Sequence, residues 1–373
     1  MIITRLEGGL GNQLFQYAAG RRLANKWKTD LKLDLSIVGH PFNPNRHDHY
    51  RLKDFNIREI FATPEEVEQI KNFRQGTSIR KESESSSFEI LNYPDNVYLH
   101  GFWQKEQYFA DIAELLRQEF TLKSPLGAKA QQWKEKILAT ECAVSLHIRH
   151  GDYFSGNNVK SFGVLPFKYY KSCVAELKKS FPRLTAFIFS ENFNLVKRFL
   201  NLDVPMEFVE GCDSDLDEFY LMSLCKHNII ANSSFSWWAA WLNSNPDKKI
   251  FFPNPWTATG LIRKGVPENW IKMPVEFGTL LDNACPLLSI IVYVKNNLRT
   301  LMQLSSSIFS QTLKDYELIL IDDGSTDGSE YLCQQIALKK KVMLISSCGG
   351  GLLTKQRRGT SGLVMPAANT FYF

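Results

Sequence analysis

The chain has 373 residues, of which 44% are hydrophobic, 22% charged and 13% aromatic. This composition is ordinary for a soluble globular protein and excludes collagen-like, coiled-coil and largely disordered chains. The 44 Lys and Arg residues against 39 Asp and Glu give a net charge of +5, which suits an anionic small ligand but is too weak to indicate a nucleic-acid partner. The length predicts two or three domains.

The sequence also indicates where the protein acts. No apolar run approaches the roughly 18 residues of a transmembrane helix, and polar residues and a glycine loop follow the first strand where a secretory signal would continue. The seven cysteines are scattered and form no CxxC pair, which favours reduced thiols over disulfides or a zinc site. We therefore predict a cytoplasmic protein without a transmembrane segment, and a peripheral position at the inner face of the membrane stays open.

The first structural unit is predicted at the N-terminus. A short apolar strand, Met1–Leu6, runs into the tight glycine loop Glu7–Asn12, and Leu31–Leu35 alternates as a second strand. Between them, one apolar residue recurs every four positions, which predicts a helix with a single buried face: Phe15, Ala19, Leu23 and Trp27.

The same strand and helix pattern resumes near Glu141 and continues to about residue 278. Strand-like segments alternate with helical ones, which predicts an α/β fold of parallel sheets with crossover helices. The predicted strands are Ala143–Ile148, Ala186–Ser190, Met206–Val209, His227–Ala231 and Lys249–Phe252. We predict two doubly wound, Rossmann-like domains at residues 1–140 and 141–278, and a third, smaller α/β segment at residues 286–373.

The most specific motif is Leu146–Tyr153, at the carboxyl end of a predicted strand. Alternation places His147 and Arg149 on the same side of that strand. Arg is a forked, permanently charged donor that suits phosphate oxygens, His can move a proton, and Asp152 can accept one. A strand-end His and Arg in a surface ion pair is the alternative.

Two more strands of the same predicted domain end in polar residues. Ser190, Glu191 and Asn192 end one, and 232–235 (Asn-Ser-Ser-Phe) follow another, where Ser234 is predicted to cap the next helix. A helix N-terminus is also an anion site. Three polar strand ends on one sheet edge favour a ligand site over capping alone. The tryptophans of the helix that follows, Trp237, Trp238 and Trp241, are interpreted as core.

Four motifs, in order, resemble the bacterial α-1,2-fucosyltransferases of glycosyltransferase family 11 over about residues 1–275. They are Gly8–Gln16, His147–Tyr153, Phe189–Asn192 and Ala231–Trp238. The resemblance implies a GT-B arrangement, in which two Rossmann-like domains face each other across a cleft. The second domain would hold GDP-fucose and the first the acceptor glycan. Transfer would invert the anomeric carbon and need no metal or other cofactor.

The resemblance also implies a role for individual residues. Arg149 would hold the diphosphate and stabilise the departing GDP, with His147 and Asp152 as the other catalytic candidates. The donor-binding set comprises His147, Arg149, Glu191, Asn192, Asn232, Ser233, Ser234, Phe235, Gly11 and Asn12. Asn12 and Gln13 would face the acceptor side, although a plain glycine turn explains the glycines of that loop equally well.

One departure from the family pattern affects these assignments. The family usually has a carboxylate pair where this chain has Glu191 and Asn192, so the base-reading assignment stays open. No catalytic base is fixed by the sequence, and Asp152 is the best candidate. Acceptor contacts are expected from the loops Gly39–Tyr50 and Ser155–Gly163.

The C-terminal segment resembles the opening of a GT-A glycosyltransferase of family 2. The residues that carry this resemblance are Leu288–Val292, Ser310–Thr312 and Leu320–Asp327. No Asp-x-Asp sequence follows Ser347, and in that family such a pair holds a divalent metal. We expect a truncated or remnant transferase segment without metal-dependent activity, with a docking module as the alternative.

The function predicted from the sequence is that of a galactoside α-1,2-fucosyltransferase in polysaccharide biosynthesis. It would move fucose from GDP-fucose to O2 of a terminal galactose on a surface glycan or its lipid-linked precursor. One alternative is a catalytically silent GDP-sugar or glycan-binding protein on the same fold. Another is a phosphate-ester hydrolase with His147 or His150 as nucleophile, which leaves the other motifs without a role. The oligomeric state stays open.

Overall fold

A computed structural model describes residues 1–38, 49–72, 79–82, 89–149, 161–277, 288–311, 316–337, 342–346 and 369–372. The chain divides into two compact units, residues 1–277 and 278–373. Within the described residues, none of the helices combines the length and the apolar character needed to cross a bilayer.

The first unit begins with a four-stranded parallel sheet in the order β2-β1-β4-β3. Its strands are β1 Ile2–Arg5, β2 Leu31–Asp34, β3 Ile79–Lys81 and β4 Val97–His100. Its helices are α1 Leu10–Trp27, α2 Pro64–Asn72, α3 Ala113–Glu119 and α4 Ala128–Ala139. The predicted strand, glycine loop, helix and strand at the N-terminus are confirmed; β3 and β4 lacked a clear pattern in the sequence.

Helix α1 connects β1 to β2 across the face of this sheet. It ends where Lys28 adopts a left-handed conformation (φ 53°) and its amide N–H donates to the carbonyls of Ala24 and Asn25, a common way to close a helix. Three of the four predicted core positions, Phe15, Ala19 and Leu23, are fully buried. The prediction was wrong for Trp27, which is 43% exposed. It lies in the last turn of the helix, where its ring N–H donates to the carbonyl of Tyr93.

The second sheet has six parallel strands in the order β10-β9-β8-β5-β6-β7. The strands are β5 Ala143–Ile148, β6 Thr185–Ser190, β7 Met206–Phe208, β8 His227–Ile229, β9 Ile250–Asn254 and β10 Ile271–Pro274. The helices are α5 Phe167–Lys178, α6 Phe193–Phe199, α7 Asp215–Leu224 and α8 Ser234–Leu242. All six residues of β5 are buried, as expected for a central parallel strand covered on both faces. The predicted α/β fold with parallel sheets is confirmed.

The two sheets of the first unit share one apolar core, in which α1 packs against α8. The Phe15 ring lies 4.5 Å from that of Trp237 and 4.8 Å from that of Trp238, and Phe109 stacks on Trp238 at 5.2 Å. Trp237, Trp238 and Trp241 are at most 2% exposed, which confirms their interpretation as core. The predicted division at residue 140 falls between the two sheets, and as a domain boundary it stays a prediction.

The second unit has its own four-stranded parallel sheet in the order β13-β12-β11-β14. The strands are β11 Leu288–Val294, β12 Tyr316–Asp322, β13 Val342–Ser346 and β14 Asn369–Tyr372, and the helices are α9 Leu298–Ser310 and α10 Ser329–Ala337. As predicted, β12 runs into the acidic turn. There the buried Asp322 carboxylate accepts the amide N–H of Ser325 at 3.2 Å, and Gly324 takes a positive φ of 66°.

Candidate active site

The carboxyl end of β5 lies at the centre of the second sheet. The chain adds β6 and β7 on one side of β5 and then returns to add β8, β9 and β10 on the other. The strand order therefore reverses between β5 and β8, and open α/β sheets bind ligands at such a reversal, outside the carboxyl ends. Arg149 follows β5, Glu191 follows β6, and residues 230–233 lead from β8 into α8. All three strand ends lie at this edge, because Ile148 pairs with Ser190 and Leu146 with Ile229.

Arg149 forms an ion pair with Glu191. Their Nη1 and Oε1 atoms are 3.4 Å apart, and the side chains are 22% and 43% exposed. A pair this close to water contributes about 1 kcal/mol or less. The surface ion pair that the sequence left as an alternative is therefore present.

His147 is anchored at this edge from two sides. The Tyr170 hydroxyl of α5 donates to the main-chain oxygen of His147 at 3.0 Å. The imidazole is 5% exposed, and its centroid lies 5.7 Å from the ring of Phe235 in the first turn of α8. Packing thus brings two predicted donor-side residues together at the strand-order reversal.

Asn192, where the sequence departs from the family pattern, caps helix α6. Its side-chain oxygen accepts the amide N–H of Leu195 at 3.1 Å, and its own amide N–H donates to the Ser190 hydroxyl at 3.2 Å. Asn and Asp are equally good at this position of a helix. The residue that departs from the carboxylate pair of the family, Asn192, thus serves as the N-cap of α6.

The segment between β8 and α8 corrects one prediction. Ser233, with extended backbone angles, is the N-cap of α8, and its hydroxyl accepts the amide N–H of Phe235 at 3.3 Å. Ser234 was predicted to be the cap, but it is the first helical residue. Its hydroxyl instead donates to the side-chain oxygen of Asn12 at 3.0 Å. Asn232 is buried and donates to the carbonyls of Phe162 and Gly163, which ties the loop before α5 to this edge.

Gly11 allows the N-termini of α1 and α8 to meet. A Cβ atom on Gly11 would lie 2.4 Å from the carbonyl carbon of Ser234 and 2.6 Å from the amide nitrogen of Phe235. Real Cβ atoms do not approach backbone this closely, so only glycine fits without a shift of one helix. Gly11 and Asn12 therefore lie against the predicted donor-binding segment.

The Gln13 side chain is buried and forms three hydrogen bonds with main-chain atoms. Its amide NH₂ donates to the carbonyls of Gly8 at 2.8 Å and His49 at 2.7 Å, and its oxygen accepts the amide N–H of Arg51 at 2.9 Å. The Arg51 guanidinium in turn pairs with Asp215 at the start of α7 at 2.6 Å. Gln13 thus holds the main chain at Arg51, whose side chain contacts helix α7. The predicted contact of Gln13 with the acceptor stays a prediction.

Comparison with known proteins identifies the family. Residues 1–271 match the family model "Glycosyl transferase family 11", which covers more than half of the chain. The chain belongs to glycosyltransferase family 11. It is therefore a glycosyltransferase, and the family resemblance drawn from its four motifs is confirmed. A second model, "Glycosyl transferase family 2", matches residues 289–350, in agreement with the resemblance of the C-terminal segment.

Two proteins of Escherichia coli are similar to this family 11 chain over almost their whole length. The α-1,2-colitosyltransferase is 35% identical over 292 residues, which are 73% of this chain and 99% of that protein. The O-antigen biosynthesis glycosyltransferase WbnK is 29% identical over 300 residues, which are 72% and 99%. Among solved structures, the fucosyltransferase NodZ from Bradyrhizobium is 17% identical with a TM-score of 0.38, covering 64% of this chain and 91% of that one.

Three residues near the family 11 motifs were not singled out from the sequence: Gln104, Glu218 and Arg263. Burial, and then the charges of Glu191, Asp215 and Asp217, raise the pKa of the Glu218 carboxyl to about 7. The Glu218 carboxyl is therefore about half protonated near pH 7. The acidic start of α7 was visible in the sequence, but the burial that raises this pKa was not.

Gln104 and Arg263 come from opposite halves of the first unit. Gln104 precedes a short 3₁₀ turn after β4, and Arg263 lies between β9 and β10. The Gln104 amide donates to the Asn12 side-chain oxygen at 2.7 Å, and the Arg263 guanidinium donates to the Gln104 oxygen. No sequence motif marks either residue, because only the fold brings them to Asn12.

Several predicted residues lie outside the described part of the chain. They include Asp152, the candidate base, as well as His150 and most of the loops Gly39–Tyr50 and Ser155–Gly163. Within the described ranges, no group of three or more His, Cys, Asp and Glu side chains is placed to hold a metal ion.

Proposed function

We propose that this family 11 enzyme transfers L-fucose from GDP-fucose to O2 of a terminal galactose, with inversion and without a metal. The observation that carries the proposal is the position of Arg149. Its guanidinium lies at the strand-order reversal of the second sheet, in a partly exposed ion pair with Glu191. A diphosphate offers more negative charge and a better geometric match to the guanidinium than one carboxylate does.

The N-terminus of α8 supports a diphosphate at the same place. The aligned peptide dipoles of a helix give its N-terminus a partial positive charge, which favours anions. Ser233 and Ser234 begin this helix, and Phe235 in its first turn contacts the His147 ring. Arg149 and α8 thus converge on the edge where a sugar nucleotide would place its phosphates.

The nucleoside would lie on the β6 side of this edge. Guanine presents an N–H and an NH₂ group as neighbouring donors, and carboxylates accept from such donors. Glu191 directly follows β6 at this edge. We assign the base-reading role to Glu191, with His147 towards the ribose.

The reaction would proceed by a single displacement. The galactose O2 atom attacks C1 of fucose, the C1–O bond to the β-phosphate breaks, and its electron pair leaves with GDP. Arg149 stabilises the charge that develops on the departing phosphate, an effect that commonly supplies several kcal/mol. The O2 proton passes to a base, for which Asp152 remains our candidate.

Two other readings remain, and one of them has a specific observation in its favour. The 35% identity to an α-1,2-colitosyltransferase favours colitose as an alternative donor sugar, which lacks only the 3-hydroxyl of L-fucose. A catalytically silent GDP-sugar-binding protein is the other hypothesis, but it gives no reason for a candidate base three residues after Arg149 in the sequence.

A panel of donors and acceptors tests the proposal. Purified protein is incubated with GDP-fucose or GDP-colitose, with and without a β-galactoside such as lactose, and with and without EDTA. We expect GDP release that requires the galactoside, is faster with GDP-fucose and is unaffected by EDTA. Faster reaction with GDP-colitose would reassign the donor, and loss of activity in EDTA would exclude the metal-free mechanism. Donor binding without acceptor-dependent release would identify a silent binder.

A further inference from the structure

The side chain of Asn12 is held by two neighbours from different parts of the fold. Its oxygen accepts the Ser234 hydroxyl at 3.0 Å and the Gln104 amide NH₂ at 2.7 Å. The Gln104 oxygen accepts the Arg263 guanidinium. These four residues form a continuous chain of hydrogen bonds, Arg263 to Gln104 to Asn12 and Ser234 to Asn12, which we call the Asn12 relay.

The direction of the relay follows from its first member. A guanidinium has five donors and no acceptor, so Gln104 must turn its oxygen to Arg263 and its NH₂ group to Asn12. Asn12 must then turn its oxygen to Gln104, because two NH₂ groups cannot bond to each other productively. The orientation of both amides is thus set by the fact that the Arg263 guanidinium can only donate hydrogen bonds.

Arg263 is itself fixed by aromatic packing. Its guanidinium carbon lies 5.5 Å from the ring centre of Phe15 and 5.0 Å from that of Trp256. Guanidinium groups bind favourably over such faces. The start of the relay is therefore anchored in the core shared by the two sheets.

The Asn12 NH₂ group is the end of the relay that is left to bind a ligand. It lies over Gly8, where a Cβ atom would approach the nitrogen to 2.5 Å. Among the described residues it has no hydrogen-bond acceptor, whereas the oxygen of the same amide has two donors. Ser234, which holds that oxygen, begins the helix whose N-terminus we assign to the diphosphate. A sugar joined to the β-phosphate would therefore extend towards Asn12.

We propose that Gln104 and Arg263 are positioning residues, which orient Asn12 so that its NH₂ group donates to the ring or glycosidic oxygen of the sugar of a bound sugar nucleotide. The inference rests on the proposed function for the identity of the ligand. Neither positioning residue touches the sugar, and each acts through Asn12. Reversal of the Asn12 amide would present an acceptor to a ring or glycosidic oxygen, which has no proton to donate, and would weaken binding.

The substitution Gln104→Glu reverses the relay without breaking it. The carboxylate keeps its bond to Arg263 as an ion pair but has no NH₂ group, so Asn12 must turn its own NH₂ group towards Glu. We expect the Kd for GDP-fucose to rise about tenfold, equivalent to about 1.4 kcal/mol, and kcat to fall at least as much. The Kd for GDP and the melting temperature should be the same as those of the wild type. Gln107→Glu is the matched control, because it adds the same charge three residues away.

Two substitutions at Arg263 test whether its guanidinium sets the orientation of the Gln104 and Asn12 amides. Arg263→Lys keeps a cationic donor and should retain most of the preference for GDP-fucose over GDP. Arg263→Met keeps a side chain of similar length over Phe15 and Trp256 but removes the donor, so Gln104 can turn either way. We expect the preference to fall by about threefold to fivefold in the Met variant, a fraction of the Gln104→Glu effect.

The outcomes separate this inference from the proposed function. An unchanged preference for GDP-fucose in Gln104→Glu overturns the relay even if the wild type transfers fucose. Equal loss of GDP and GDP-fucose affinity, or a lowered melting temperature, assigns Gln104 a purely structural role and also overturns it. If the wild type transfers no sugar but Gln104→Glu selectively loses GDP-fucose affinity, the transferase proposal fails and the relay stands.

Discussion

The two sheets of the first unit contribute to the candidate site in different ways. The second sheet provides Arg149 and Glu191 directly from strand ends, each within two residues of a buried strand. The first sheet provides Asn12 at a helix start, where the side chain is held by residues 92 and 222 positions away in the sequence. The residues that we assign to the donor therefore follow directly from strands in the sequence, whereas the orientation of Asn12 depends on tertiary contacts.

This difference decides how each half responds to mutation. Removal of a strand-end side chain deletes a functional group and leaves the sheet intact, because β5 is held by its buried residues. A change at the α1 and α8 contact instead moves one half of the site relative to the other. The first kind of change is expected to affect activity alone, and the second kind both stability and activity.

The largest effect is expected from Arg149→Ala. We expect kcat to fall by about 10²–10³-fold, since one preorganised donor to a developing anion contributes roughly 3–4 kcal/mol, together with clearly weaker GDP binding. The free energy of unfolding should change little, because the side chain makes a weak ion pair. Rates and GDP affinity are measured alongside urea unfolding.

Arg183→Ala provides the control for a lost surface ion pair. Arg183 is 83% exposed and lies 3.8 Å from Glu141, remote from the carboxyl edge of the sheet. It should transfer fucose like the wild type. Near-native turnover in Arg149→Ala would show that Arg149 does not bind the diphosphate. The second sheet would then not provide a functional group directly from the end of β5.

Gly11→Ala tests the contact between the two halves. Its Cβ would meet backbone atoms of Ser234 and Phe235 at 2.4–2.6 Å, so α1 or α8 must shift. Overpacking of this kind costs about 1–3 kcal/mol, which offsets the roughly 1 kcal/mol that alanine gains over glycine in a helix. We expect lower stability in urea and a lower kcat together.

Gly9→Ala is the comparison for that variant, because no atom lies within 4 Å of a Cβ at Gly9. Gly9 is the N-cap of α1 with an extended backbone (φ −74°), so only capping preference changes, by about 1 kcal/mol or less. If Gly9→Ala were as destabilising as Gly11→Ala, the direct contact between the helices would not be the reason for glycine at position 11.

The fold and the donor side could be predicted because their signals are periodic or adjacent in sequence. The short segment Ala143–Ile148, apolar except for Ser145 and His147, and the polar residues directly after it predict a strand with Arg149 after its end. β3 and β4 could not be predicted with equal clarity, since neither has an alternating pattern of apolar and polar residues. Trp27 was misplaced because a strict helical period continues through the last turn, where the fold no longer covers the helix.

The relay residues could not be predicted for a different reason. Gln104 and Arg263 are ordinary polar residues in irregular segments, and their importance depends on which atom faces which neighbour. The cap of α8 shows the same limit on a smaller scale. Two adjacent serines satisfy the capping pattern equally well, and only the extended backbone of Ser233 selects it over Ser234.

The smallest effect is expected from substitution of Asn192. Two variants at this position distinguish a helix cap from a residue that reads the base. Asn192→Asp restores the carboxylate pair of the family and keeps the cap, so stability should change by no more than about 0.5 kcal/mol. Asn192→Ala removes the acceptor for Leu195 and should cost about 1 kcal/mol. If Asn192 only caps α6, both variants keep the KM for GDP-fucose, and only Asn192→Ala loses stability. A changed KM in Asn192→Asp, with stability preserved, would place the side chain against the nucleotide and extend the strand-end site by one residue.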